Sequence, residues 1–206
     1  MTMTTKERIL YEGLTLFSEK GYKGTSVKDI ADAVGIKDSS LYKHYKSKQE
    51  ILDVIMASIE EHIGEMSAGF GIPTGEDFEQ AVSFYEGFDE EGIVEFSKKI
   101  FLFYLKDDML SKFWRMGTME QYQNPQVAQS FRRFFFEESI EYQTALFAEM
   151  VREGAFVDAD PGVMAMDFYT PIFFLLSKYS GQQGKDEEAL EILAKQVKAF
   201  YHTYKR

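Results

Sequence analysis

Gly35-Ile-Lys-Asp-Ser-Ser-Leu-Tyr-Lys-His-Tyr-Lys-Ser-Lys48 is the stretch on which the reading of this chain turns. A glycine turn leads into a short helix that presents small polar side chains first, then Tyr42 and His44, then lysines. Short groups at the tip of such a helix reach base edges in a DNA groove, and longer groups behind them grip phosphate. The order points to the first quarter of the chain as a DNA-binding segment. The remainder must then govern when it binds.

Working outward, helical spacing dominates. Leu10, Leu14 and Phe17, widened by Ile9 and Leu16, predict a helix over 6–20 that stops at Gly21. Ser26 with Asp29 reads as a capping box opening a second helix. Val27, Ile30, Ala31 and Val34 face inward, and Gly35 ends the helix. A third helix over about 38–44 is anchored by Leu41 and Tyr45. Three short helices with a glycine turn between the last two make a helix-turn-helix arrangement. Ser47-Lys-Gln-Glu50 is a further capping box and opens a long helix reaching toward residue 68. Phe70-Gly-Ile-Pro-Thr-Gly75 reads as a loop. Later helices are expected over about 75–87, 91–106, 108–120, 124–153, 160–181 and 186–204, punctuated by Gly154, Pro161, Gly181 and Gly184. Pro171 should kink the penultimate one.

Composition narrows the function classes. With no cysteine among 206 residues, disulfides, zinc fingers and thiol catalysis are excluded. No apolar run approaches membrane-spanning length; the longest, Pro171 to Leu176, is far too short. A cytoplasmic protein is expected. The net charge of −11 looks adverse to nucleic acid, but residues 1–50 hold nine Lys/Arg against seven Asp/Glu, and the rest is acidic. Charges more than about 8–10 Å away are largely screened at physiological salt, so an acidic body does not prevent the N-terminal part from meeting a polyanion.

Ile9, Leu16, Phe17, Gly21, Thr25, Ile30, Ala31, Gly35, Leu41, Tyr42, His44, Tyr45 and Lys48, in this spacing, resemble the N-terminal domain of TetR-family transcriptional regulators. The resemblance covers about residues 6–52. It implies an all-α protein with a three-helix helix-turn-helix domain at 1–47 and a larger helical ligand-binding and dimerisation domain at 48–206. It also implies a homodimer on a palindromic operator, released when a small molecule binds. Carried over by position, Thr25 and Ser26 hold phosphate at the start of the second helix, Tyr42 and His44 contact phosphate, and Lys48 does so from the start of the fourth helix. Tyr45 stands where phenylalanine is usual, which is tolerated if its hydroxyl reaches solvent. The base-reading stretch departs from the common pattern: Lys37 occupies a position that is often a capping serine. Asp38 or Ser39 caps instead; if Asp38 does not, its carboxylate can accept from a cytosine amino group. Lys37, Ser39, Ser40 and Lys43 complete the groove candidates.

For the larger part, Phe101, Tyr104, Trp114, Met119, Phe135, Tyr169 and Phe174 are the candidate ligand-lining residues, drawn from a set of soft apolar groups most of which form core. They suit a hydrophobic inducer, aromatic or long-chain. Phe168, Ile172 and Leu175 on one helix, and Leu190, Leu193, Val197, Phe200 and Tyr204 on the next, form apolar seams. Such seams either complete the monomer or pair two copies in a four-helix bundle; a DNA-reading dimer favours the second. An enzyme is the rival class. His44, His62 and His202 show no metal-ligand spacing, and Glu137, Glu138 and Glu141 beside Arg132 and Arg133 read as a solvated ion-pair face. No catalytic residue, cofactor or metal is expected.

Overall fold

The structure is a computed structural model that describes residues 3–73 and 78–206. Among these the elements are helical, apart from an isolated antiparallel bridge between Phe156 and Lys205. In chain order they are α1 (Thr5–Gly24), α2 (Val27–Val34), α3 (Asp38–Leu41), α4 (Lys48–Gly69), α5 (Phe78–Glu86), α6 (Glu90–Lys106), α7 (Asp108–Glu120), α8 (Pro125–Arg132), α9 (Ser139–Arg152), α10 (Pro161–Tyr179) and α11 (Asp186–Tyr204). The end of the expected 70–75 loop and the start of the expected 75–87 helix lie outside the described residues. The single helix expected over 124–153 is α8 and α9 joined by a π-helical turn, Arg133–Glu138. None of the described helices is long and apolar enough to cross a membrane.

Two compact units result. One comprises Met1–Gly64 with Asp108–Arg132, the other Glu65–Asp107 with Arg133–Arg206. Chain order alone suggests a boundary after residue 47; in space, residues 48–64 and 108–132 pack with the first 47.

In the first unit, α1 opens with a capping box in which Glu7 and Thr4 satisfy each other's backbone amides. Its buried stripe is Ile9, Gly13, Leu14 and Phe17, whereas Leu10 and Leu16 lie at the margin, half-buried. Gly13 matters because a Cβ there would sit 3.2 Å from Ile51 of α4, so the two helices approach closely. Gly21 leaves helical geometry at φ 73°, as a stop requires. The Ser26/Asp29 box opens α2, Ile30, Ala31 and Val34 are buried, and Gly35 closes it in the left-handed region at φ 76°. Ser47 caps α4 by accepting from the Glu50 amide at 3.1 Å, but Glu50 accepts from the Lys46 amide rather than from that of Ser47. The box is therefore shifted by one residue on its return side. α7 packs along α1, and α8 packs on α7. Gly117 makes the second packing possible, since a Cβ would lie 2.1 Å from the Phe131 ring.

In the second unit, Ala81 and Val82 of α5, Leu146, Phe147 and Met150 of α9, and Met164 and Ala165 of α10 form the core, closed by Phe168, Phe200 and Tyr204. The chain end is stitched to the α9–α10 loop by Val157 N–H donating to Tyr204 O (2.9 Å) and Arg206 N–H to Ala155 O (3.0 Å). α10 starts from the Asp160 cap with Pro161 in its first turn, and runs through Pro171 to Tyr179. The two apolar seams belong to the monomer. Leu175, Leu193 and Val197 are at most 3% exposed, because α10 and α11 pack on each other and on α6. Phe168, Phe200 and Tyr204 face the same core, and Ile172 and Leu190 are half-buried. The dimer assignment of the three buried residues is thus corrected: their surface is already covered within one chain.

Candidate nucleic-acid interface

α3 is a single turn held from below and open above. Leu41 is fully buried and Tyr45 nearly so, and they root the turn in the core beside α2. Above them Lys37, Asp38, Ser39, Tyr42, Lys43 and His44 are exposed, with Ser40 half-buried. Lys37 occupies the N-cap with no side-chain hydrogen bond, and Asp38 is the first helical residue. Neither Asp38 nor Ser39 caps, so the capping expectation is corrected. The Asp38 carboxylate has no partner among the described residues and remains an open acceptor on the outer row. A run of short acceptors and hydroxyls followed by Tyr42, Lys43 and His44 is the combination that can read base edges and clamp a backbone.

The corner between α1 and α2 departs from the phosphate-holding expectation. Thr25 is buried, and its hydroxyl donates to the carbonyls of Gly21 (2.9 Å) and Leu16 (3.3 Å). It ties the corner instead of facing a ligand. Ser26 is exposed, but its hydroxyl is engaged as the cap, donating to Asp29 Oδ2 at 2.5 Å and accepting from the Asp29 amide at 3.1 Å. Lys48 turns inward: Nζ donates to the carbonyls of Tyr22 and Thr25, each at 2.7 Å, and lies 4.2 Å from the centre of the Tyr22 ring. Burial draws its ammonium below the usual lysine range, against the opposing pull of Glu120 and Asp29. Two of its three donors are thereby committed to the protein, and at most one is left for phosphate.

Tyr45 also differs from expectation. Its hydroxyl does not reach solvent; it is buried without a hydrogen-bond partner. Burial, then the charge of Glu50, push the phenol above its usual range.

The family model described as "Bacterial regulatory proteins, tetR family" matches residues 9–55. That segment contains the buried anchors, the Gly35 turn and the open row of α3. The first quarter of the chain thus resembles the N-terminal segment of the tetR family. Over 46 residues it is 54% identical to the biofilm operon icaADBC negative transcriptional regulator IcaR of Staphylococcus epidermidis, a match covering 22% of this chain and 25% of that protein. The chain thus matches about a quarter of the length of these curated relatives. The likeness in fold extends much further. A TetR transcriptional regulator from Chloroflexus aurantiacus superposes with TM-score 0.69 at 18% identity, covering 98% of this chain and 96% of the other. SmeT in complex with triclosan does so with TM-score 0.66 at 17% identity, covering 99% and 93%.

The residues expected to line a ligand site do not form one group. Trp114 and Met119 belong to the first unit: Trp114 is buried against Phe131, with ring centres 5.6 Å apart, and Met119 is 40% exposed. Phe174 is 61% exposed and points away from the unit's interior. These three are corrected as lining residues of the second unit. Phe101 and Phe135 are buried there, and Tyr104 and Tyr169 mostly so. Tyr104 and Phe134 pack with ring centres 5.9 Å apart, and Tyr169 donates its hydroxyl to the Phe135 carbonyl at 2.7 Å. Burial pushes the Tyr169 phenol up to about 12, and that of Tyr104 beyond it. The Tyr104 hydroxyl has no hydrogen-bond partner among the described residues.

Sequence reasoning passed over Glu120 and Lys112 of α7, both buried and both turned toward α1. The only signal available was two charges on an otherwise apolar helix face.

Proposed function

We propose that this chain is a DNA-binding transcriptional regulator that acts as a dimer on a two-fold-related DNA site and leaves it when a hydrophobic small molecule binds. The observation that carries the reading is the open row Lys37, Asp38, Ser39, Ser40, Tyr42, Lys43 and His44, rooted by Leu41 and Tyr45 in the segment that matches the family. The role of the IcaR relatives as negative transcriptional regulators supports repression as the direction of control. Selection of bound duplexes from random DNA tests it. A recovered inverted repeat supports the reading, and no enrichment at low salt ends it. Lys43→Ala should weaken binding to all sequences and lower the salt slope by about one.

The dimer face is the outer side of α10. Val163, Met166 and Phe174 are 56%, 52% and 61% exposed at helical spacing, opposite the buried Met164, Ala165, Leu175 and Leu176. Phe136, itself 41% exposed, packs on the neighbouring Phe173 with ring centres 4.7 Å apart. A second copy presenting the same row gives a self-complementary apolar contact, as a two-fold interface requires; a dimer brings two reading heads, and half-sites on one face of DNA lie about 34 Å apart or a multiple of that. Phe174→Lys should yield monomers in sedimentation velocity with unchanged helix content; a dimer that persists would move the interface elsewhere.

The ligand reading rests on the second unit's aromatic interior. Ser97 is the lone polar residue among its described buried ones, so an anionic ligand would find no buried countercharge. Tyr104 offers one neutral donor. Hydrophobic phenols should raise the melting temperature and release DNA, and gluconate should do neither. Stabilisation by gluconate alone would overturn this part.

A further inference from the structure

Glu120, the last residue of α7, is 4% exposed. Its Oε1 accepts from the Tyr22 amide at 2.9 Å. That amide needs an outside partner because Gly21 has left helical geometry, which breaks the backbone ladder just before it. A Cβ on Gly21 would lie 2.7 Å from the same oxygen. The glycine therefore serves twice, by adopting a positive φ and by leaving room for the carboxylate. The other oxygen, Oε2, is buried with no partner. An apolar side chain would avoid that desolvation cost, so packing alone does not explain a carboxylate at this place.

The same corner is gripped from the other side. Lys48 bonds the carbonyls of Tyr22 and Thr25, and Thr25 closes back on Gly21. Ser26, the cap of α2, follows at once. Further back along α7, Lys112 is also buried; it pairs with Asp108 at 2.7 Å and lies 3.7 Å from the centre of the Tyr11 ring of α1. Helix α7 thus runs alongside α1 in the same direction, with a buried charge at each end of the contact. Hydrogen bonds to an ionised acceptor are about twice as strong as neutral ones.

We propose that Glu120 is a positioning residue for DNA binding: from α7 it locks the α1–α2 corner through the Tyr22 amide, and so sets where the reading head stands. This rests on the DNA-binding reading above. The lock adds a dependence of that head on a residue 98 positions from Tyr22.

The test uses the full-length protein, a duplex selected by the wild type, and amide exchange at Tyr22 measured without DNA. Glu120→Ala should remain helical and dimeric at 10 °C. It should lose protection at Tyr22 about tenfold, lose roughly 10- to 100-fold in affinity, and lose about one to two units of salt slope. Glu120→Gln keeps a neutral acceptor at the same reach and should fall between the wild type and alanine on all readouts. Should the alanine variant fail to fold, Glu120→Asp decides, since it keeps the charge but falls short of the amide; it should behave as alanine does. Wild-type affinity and slope in folded Glu120→Ala or Glu120→Asp would overturn the proposal, as would unchanged protection at Tyr22. If the wild type binds no duplex, the DNA reading fails, and the exchange data still judge the lock.

Discussion

The two compact units are held together by different means. Among the described residues, Ser18, Thr25, Lys112 and Glu120 are the buried polar groups of the first unit, and each bonds backbone or another charge. The second unit's interior is built from rings: Phe147, Phe156, Phe168 and Phe200 pack with centres 5.0–6.0 Å apart, mixing stacked, tilted and edge-on pairs. Directional bonds fix one geometry. Ring contacts tolerate small rearrangements, since each pair has several acceptable arrangements of similar energy. A head proposed to match the groove spacing of DNA benefits from the first kind of interior. A body proposed to accommodate a soft ligand benefits from the second.

Matched substitutions test that contrast most severely. Gly117→Ala in the first unit forces a methyl group into the Phe131 ring, which already packs against Phe113 and Trp114. The expected loss is about 3 kcal/mol, at the upper end for overpacking. Phe168→Met in the second unit replaces a ring by an adaptable side chain of similar bulk and should cost about 1 kcal/mol. Urea melts followed by far-UV circular dichroism measure both. The single tryptophan, Trp114, reports the first unit separately by fluorescence. Equal losses at the two sites would erase the distinction.

The same contrast explains what could be read from the chain alone. Helix starts are local: Ser26 with Asp29, and the left-handed Gly35, lie within a few residues of what they govern, and both stand as the spacing predicts. So do the anchors Leu41 and Tyr45. What escaped was non-local. The Tyr22 amide meets Glu120 from a distant part of the chain, and nothing near Tyr22 marks it. Lys48 was expected to reach outward, yet two backbone carbonyls brought close by the Gly21 break turn it inward. In α10 the difficulty was of another kind. The helix carries apolar residues on two sides, so periodicity identified its stripes but not which one its own chain would cover. Leu175 went inside, and Val163, Met166 and Phe174 stayed out.

Tyr45, like Oε2 of Glu120, departs from that pattern within the first unit: its buried hydroxyl bonds to nothing among the described residues. If directional satisfaction is what holds this unit, removing an unsatisfied group should help it. Tyr45→Phe is expected to stabilise the first unit by about 1 kcal/mol, the lower part of the range for an unpaired buried polar atom. Trp114 fluorescence in urea measures it. A destabilised Tyr45→Phe would show that the hydroxyl has a partner in solution, such as an ordered water.

The smallest expected effect concerns the start of α2. Asp29 accepts from the Ser26 hydroxyl at 2.5 Å and the Ser26 amide at 2.7 Å. These bonds, side-chain first and then backbone, hold its carboxyl below the usual value of 3.8, aided by Lys20 and Lys28. A folded-state value below the unfolded one means that the unfolded chain binds the proton more readily. The contribution is therefore fully present above about pH 4 and is lost as pH falls through the lower folded value. Asp29→Asn keeps an acceptor but has no proton to take up. Its stability should fall less steeply than that of the wild type between about pH 4 and pH 2, with little difference at pH 7, because the group is exposed and screened. Parallel acid titrations of the two proteins, followed by Trp114 fluorescence, would show the divergence. Coincident curves would mean that the α2 box forms no tighter in the folded head than in the open chain, and that the directional hold on this unit begins at the buried corner behind it.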